Sequence, residues 1–347
     1  MNKRLIICNT LYQLIVAIQI HLSFMGKTIL VLTNEIKNAE KISRRLRETN
    51  VFESISVLDV KKQKRSWKYL KECIFGIVPP ELSNVIVDEL IGFNFDLPSH
   101  ALYAGLYKKN KDICISKMEE GLLSYNTLDT TCGVMKNAYR LRSLLCLKNL
   151  KPSTQKFYCF SPEAYAGDLM TVAIPRIKKD DMMIQNIFNH VFGREIIKPY
   201  KEKYIFLSCI YDKEGGKSIG ELDLAMRVAE LVGKDNLIVK VHPRDDINRY
   251  KEKGLKIDSN SSIPWEVIQI NQDFSRKILI TTLSSSLLNF NPVLEQTSKV
   301  YYGYKLCNIS ENELATHYRF VLEGYLDNEV IGLRNISVLE QLEDLIS

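Results

Sequence analysis

The sequence has no GxGxxG turn, no Walker A loop, no HExxH helix and no GxSxG elbow. Each of those spacings holds a dinucleotide, a nucleoside triphosphate, a zinc ion or a serine nucleophile, so the corresponding enzyme classes lose support. No DxD-like pair stands where it would ligate a metal. Asp245-Asp246 follows directly on His242 and Arg244 and reads as a helix-capping pair. A metal-independent reaction with no bound cofactor is therefore expected. The eight cysteines are scattered without CxxC or metal-ligand spacing, which points to free thiols in a reducing compartment. No apolar run reaches the roughly 18–20 residues that span a bilayer. The run after Lys3-Arg4 is broken by Asn9, Thr10, Tyr12 and Gln13 and lacks a signal-peptidase site. A cytoplasmic protein is expected. The net charge of +6 is too small to demand nucleic acid; it suits an anionic ligand or an anionic membrane surface.

What is present is a soluble composition, 46% hydrophobic and 25% charged over 347 residues, enough for two domains. Apolar runs at 5–8, 27–32 and 54–58 alternate with helical patterns, the rhythm of a parallel sheet covered by helices. Further strands are predicted at 84–87, 101–107, 112–118 and 157–160. A second α/β rhythm starts at Tyr204, with strands at 204–210, 236–241, 277–281 and 299–302. Helices are predicted at 137–148, 178–194, 218–232, 263–269 and 284–290, and at 337–346 near the end of the chain. The division expected is a Rossmann-like domain over 1–175, a helix and linker over 176–203, and a second Rossmann-like domain over 204–347. A ligand-binding cleft between the two is expected. The basic stretch 60–71 interleaves Trp67, Tyr69 and Leu70 with lysines. It reads first as a solvated helix with an apolar stripe, and second as an interfacial helix meeting the inner face of a membrane.

Three short constellations carry chemistry. The first is His242-Pro243, where an apolar run ends. A side chain at the carboxyl end of a parallel strand faces the crevice in which open α/β sheets bind ligands. Near neutral pH, His242 is expected to donate a proton or a charged hydrogen bond to a phosphate. The other histidines, His21, His100, His190 and His317, have no comparable context. The second is Ser284-Ser285-Ser286, between a predicted strand and a predicted helix. One serine caps a helix, whereas three offer hydroxyls and backbone N–H groups to a phosphate. The third is Glu119-Glu120-Gly121, a carboxylate pair at a strand tip that can supply a general base, though an acidic pair is more often a solvated loop. Asp212 stands after the strand 204–210 as a reserve base, or else as an ordinary turn aspartate. Tyr301, Tyr302 and Gly303 stand at the end of the strand 299–302, another carboxyl edge, where they would line a ligand.

Taken in chain order, the three constellations resemble the motifs of bacterial sialyltransferases: acidic-acidic-glycine, His-Pro and a serine run. The runs Cys8-Asn9-Thr10-Leu11-Tyr12-Gln13 and Lys240-Val241-His242-Pro243-Arg244 look most like glycosyltransferase family 52, which includes lipooligosaccharide sialyltransferases. The resemblance implies a GT-B fold of two Rossmann-like domains. Asn9, Thr10 and Gln13 would lie on the acceptor side. His242, Pro243, Ser284–Ser286 and Tyr302 would hold the phosphate of a CMP-sialic acid donor. Glu119 or Glu120 would be the base that activates a galactoside hydroxyl on a lipooligosaccharide or capsule. Some members of the family are dimers, so a homodimer is among the implied partners. Two rival readings stand beside this one. A UDP-sugar transferase of the same layout would use Glu295 to bind ribose. A non-catalytic glycan- or membrane-binding protein would use the basic stretch.

Overall fold

Aliphatic runs without alternation suit strands covered on both faces, as at Lys3–Cys8, Tyr204–Leu207 and Ile278–Thr281, and among the described residues every strand pairing is parallel. The computed structural model describes residues 3–60, 71–72, 74–93, 96–125, 141, 144, 154–193, 197–210, 218–260, 263–287, 298–308, 322–324, 326–327 and 335–346. The chain forms two units by its internal packing. One comprises Met1–Glu120 with Asn126–Pro175, the other Gly121–Tyr125 with Arg176–Ser347.

The first unit holds β1 (Lys3–Cys8), β2 (Lys27–Thr33), β3 (Ser54–Leu58), β4 (Glu89–Gly92), β5 (Cys114–Met118), β6 (Thr154–Cys159) and β7 (Met170–Ala173). Their order across the sheet is β3-β2-β1-β4-β5-β6-β7. The chain winds outward from β1 in both directions, so the topological switch point lies between β1 and β4, where open sheets of this kind bind ligands. Helix α1 (Leu11–Ser23) follows β1. Thr10 caps it, and every residue from Gln13 to Ile20 is buried. Helices α2 (Ala39–Thr49) and α3 (Leu97–Leu106) also belong to this unit. The core gathers Leu5, Ile7, Val31, Leu90 and Leu102. Each such side chain contributes about 1.5–3 kcal/mol by leaving water.

The second unit holds β8 (Tyr204–Leu207), β9 (Leu237–Lys240), β10 (Ile278–Thr281), β11 (Lys299–Tyr302) and β12 (Ile336–Val338), in the order β12-β11-β10-β8-β9. Its switch point falls between β8 and β10. Helices α4 (Met182–Phe192), α5 (Glu221–Val232), α6 (Ile247–Lys251) and α7 (Trp265–Asn271) accompany it. Phe206, Val228, Val239 and Ile280 are central to its core.

Several predicted elements are corrected. The strand expected at 84–87 forms instead at Glu89–Gly92. A carboxylate in a buried strand hides the apolar signal, and Glu89 survives there because Ser116 Oγ donates to it at 2.6 Å and the Arg4 guanidinium lies 3.7 Å away. Of residues 101–107, read as a strand, 101–106 belong to α3 and Tyr107 is its C-cap; the helix begins at the Asp96 cap with Pro98 in its first turn. The strand β7 was not anticipated. The helix expected at 337–346 is instead the short edge strand β12 followed by a 3-10 turn, Leu342–Leu345. Of the helix predicted at 137–148 only Leu141 and Leu144 are among the described residues, both helical and exposed, and nearly all of the basic stretch 60–71 lies outside them. Among the described residues no helix is long and apolar enough to cross a membrane.

Candidate functional site

In the first unit the carboxyl end of β1 runs directly into α1, and the junction is tied by side chains. Thr10 Oγ1 accepts from Gln13 N at 3.2 Å, while Gln13 Oε1 accepts from Asn9 N at 2.6 Å. This is the reciprocity of a capping box, displaced by one residue. The Asn9 side chain spans three elements. Its amide donates to Asp96 Oδ2 at 2.6 Å, and its carbonyl accepts from Thr33 Oγ1 at 2.9 Å. Asp96 in turn caps α3 by accepting from Ser99 N and Ser99 Oγ. Burial pushes the Asp96 carboxyl up, and bonds from Ser99 and Asn9 pull the other way. The partly buried Asn9 side chain and the buried Gln13 therefore tie the end of β1 to its neighbours.

Glu119 and Glu120, just past β5, have different surroundings. Glu119 is 1% exposed. Its Oε1 accepts from Tyr12 OH at 3.0 Å and its Oε2 from Phe160 N at 2.9 Å. Glu120 is half-buried and accepts from Thr10 Oγ1 at 2.9 Å through Oε1. A base must reach its substrate, so geometry separates a fixed carboxylate from an accessible one. Gly121 belongs by its packing to the second unit. It has φ +80°, and a Cβ there would lie 2.4 Å from Ser285 Oγ of the same unit. Only glycine meets both demands without strain.

In the second unit His242 stands two residues beyond β9. Its N–H donates to Ser208 Oγ at 2.8 Å, and its carbonyl accepts from Asp245 N at 2.9 Å. The latter closes a turn whose second residue is Pro243, where a fixed φ is favoured. The Pro243 ring is exposed. Nδ1 of His242 accepts from Arg244 N at 3.2 Å, which leaves the ring proton on Nε2. Burial first, and the Arg244 charge second, push this imidazole down to about 4. The ring is thus neutral at pH 7, so in the free protein the expected charged donor is replaced by a neutral one. Asp246 caps α6, while Asp245 pairs with Arg249 at 2.6 Å.

The serine run follows β10. Ser284 N donates to Thr281 Oγ1 at 3.2 Å, Ser286 N to Ser284 Oγ at 3.3 Å, and all three serines are half-exposed. A 3-10 turn, Ser285–Leu287, stands where a helix was predicted to start. Tyr302 is fully buried and its hydroxyl donates to Ser284 O at 2.9 Å. It therefore braces the serine loop from the core side. β8 separates β9 from β10, so the His242 and serine loops leave the same edge of one sheet, on either side of the loop after β8. Neutral N–H and O–H donors converging from such loops suit an anion such as a phosphate. Asp212 and Glu295 lie outside the described residues. Among the described residues no group of three His, Cys, Asp or Glu is placed to hold a metal ion.

Two residues of this region were missed in the sequence. Ser208 orients the His242 backbone, and a single serine after a strand gives no signal. Glu221 opens α5 and is 1% exposed. An acid in the first turn of a helix looks like ordinary dipole compensation, and only the fold shows it buried.

The model of one protein family, Alpha-2,8-polysialyltransferase (POLYST), matches residues 4–303. Among solved structures, the α/β-galactoside α-2,3-sialyltransferase of Photobacterium phosphoreum is similar, with 12% identity, 99% of this chain and 100% of that one covered, and a TM-score of 0.51. A putative UDP-N-acetylglucosamine 2-epimerase from Listeria monocytogenes is similar with 11% identity, 96% and 89% covered, and a TM-score of 0.51. At such identities the likeness is one of fold, and the fold is GT-B. No curated protein matches the sequence.

Proposed function

The chain belongs to the alpha-2,8-polysialyltransferase family, and from that premise we propose that it transfers sialic acid from CMP-sialic acid to a glycan hydroxyl with inversion. The observation that carries this reading is the pair of neutral donor loops at one sheet edge, His242 and Ser284–Ser286. In the reaction the acceptor oxygen forms a bond to the anomeric carbon as the bond from that carbon to the CMP phosphate oxygen breaks. The bonding pair leaves with the phosphate, and the transition state is oxocarbenium-like. Nε2–H of His242 and the serine loop stabilise the charge that grows on the phosphate. Glu120 takes the acceptor proton. Glu119 holds the strand tip and is not the base, and Asp212 is the reserve. No metal is required if these donors neutralise the leaving group.

The acceptor first considered is a galactoside-terminated lipooligosaccharide or capsule. A second reading, favoured by the description of the matched family, is an acceptor that already ends in sialic acid. The family named by the match differs from glycosyltransferase family 52, to which the short runs at Cys8 and Lys240 are similar. A homodimer and a peripheral contact with the inner face of the membrane belong to the same proposal, and light scattering and vesicle flotation read them.

The deciding measurement is CMP release from CMP-sialic acid with a galactoside, with an oligosialic acid, and with neither acceptor. Acceptor-dependent release supports the reading, and the better acceptor chooses between the two glycans. Release of UDP from a UDP-sugar, with no CMP release, would overturn it.

A further inference from the structure

A buried carboxylate occupies the switch point of the second unit. Glu221 is the first residue of α5, after Gly220 at φ +77°. Its Oε1 and Oε2 accept from Cys209 N at 3.0 and 2.9 Å, its Oε2 from Cys209 Sγ at 2.9 Å and from the Thr282 hydroxyl, and its Oε1 from Tyr250 OH at 3.1 Å. The Arg249 guanidinium lies 3.9 Å away.

The partners come from three segments: Cys209 from the loop after β8, Thr282 from the loop after β10, and Arg249 and Tyr250 from α6. Cys209 follows Ser208, the residue that receives the His242 N–H. Thr282 stands two residues before Ser284. The Arg249 guanidinium donates to Asp245 Oδ2 at 2.6 Å and to Tyr250 OH at 2.8 Å, and Asp245 N closes the turn that His242 opens. One carboxylate thus links the ends of β8 and β10 directly and the loop after β9 through Tyr250 and Arg249. Burial pushes it up to about 7. A side chain that only relieved the helix dipole would do so from solvent, at no desolvation cost.

We propose that Glu221 is the positioning residue of the donor site, fixing the distance between His242 and the serine loop. This rests on the proposed function only in taking a nucleotide phosphate as the ligand of those loops. The carboxylate touches no substrate and acts through Cys209, Thr282 and Tyr250. A glutamine keeps an acceptor for Cys209 N and Tyr250 OH, and the Thr282 hydroxyl can reverse to accept from the amide. An alanine releases all three loops.

The test compares Glu221→Ala, Glu221→Gln and Tyr250→Phe with wild type by nucleotide titration at a temperature well below each melting point, followed by donor and acceptor kinetics. The nucleotide is whichever of CMP or UDP the wild type binds, so the outcome does not depend on which sugar is transferred. Displacing reacting or binding groups by about 1 Å costs on the order of 10²-fold. Glu221→Ala is therefore expected to weaken nucleotide binding and raise the donor KM by that order, with the acceptor KM unchanged. Glu221→Gln is expected to recover most of the loss. Tyr250→Phe, which removes one hydroxyl, is expected to weaken nucleotide binding several-fold and keeps the question answerable if the alanine variant does not fold. Wild-type nucleotide affinity in Tyr250→Phe and in any folded Glu221→Ala, or a Gln variant no better than Ala, would overturn the proposal. Wild-type binding of UDP alone would overturn the CMP reading and leave the positioning role to be decided by the same titration. Wild-type binding of neither nucleotide would overturn both.

Discussion

His242 is more informative for its neutrality than for its presence. An imidazole held at about 4 is a hydrogen-bond donor across the physiological range and does not switch near 6.5. The wild-type kcat/KM is therefore expected to show no inflection from His242 between pH 6 and 8. His242→Ala is expected to lower kcat by about 10²–10³-fold, as loss of one preorganised donor does. The same shift affects stability with a definite sign. The unfolded chain binds the proton first as pH falls through 6.5, so stability is lost between 6.5 and 4. Urea melts at pH 7 and pH 5 on wild type and His242→Gln check this, since the variant is expected to lose less on acidification. Glu119 and Glu120 divide in the same manner. Glu120→Gln is expected to cost about 10²–10⁴-fold in activity with an unchanged melt. In contrast, Glu119→Gln disturbs the acceptor that Tyr12 OH and Phe160 N share, and is expected to cost about 1–3 kcal/mol of stability. An unchanged melt in Glu119→Gln together with lost activity would reverse the two assignments.

At the scale of elements, Asp96 does more than cap a helix. It receives Ser99 N for α3 and the Asn9 amide from the end of β1. Asp96→Ala is expected to destabilise by about 2 kcal/mol, at the upper end for a cap because Asn9 loses its partner as well. Chemical denaturation of the full chain measures it; a cost of a few tenths would show that the bond to Asn9 adds nothing. This pairing also marks the limit of what the sequence discloses. Strands such as Lys27–Thr33 and Ile278–Thr281 are legible because burial on both faces forces aliphatic runs. β4 is not, since Glu89 interrupts its apolar run and the charges and hydroxyls that stabilise Glu89 come from strands far away in the chain. The segment Ala101-Leu102-Tyr103-Ala104 suits either a strand or a helix by composition. Its cap at Asp96 and Pro98 settles the matter, and both precede the apolar stretch. Among candidate site residues, His242 and Ser284–Ser286 were visible because strand ends punctuate the sequence. The surroundings of Asn9, Tyr302 and Glu221 depend on partners from 12 to 87 residues away, which no local pattern records.

For the whole molecule, each unit has its own parallel sheet and core, so a ligand of one sheet is expected to stabilise that unit's transition. CMP at about 100 times its dissociation constant contributes about 2.7 kcal/mol to the state it binds. Calorimetry is expected to show an upward shift with CMP, absent in a folded His242→Ala; an equal shift in that variant would remove the nucleotide from this loop. The two sheets share one more property. In each, a carboxylate that is 1% exposed, Glu119 in the first and Glu221 in the second, receives the backbone N–H just beyond a neighbouring strand, at Phe160 and at Cys209. Each clasp ties a backbone amide at a strand end to a carboxylate from another element, so exchange of that amide with solvent requires the sheet end itself to open. The Phe160 and Cys209 amides are therefore expected to exchange with deuterium as slowly as the strand amides beside them.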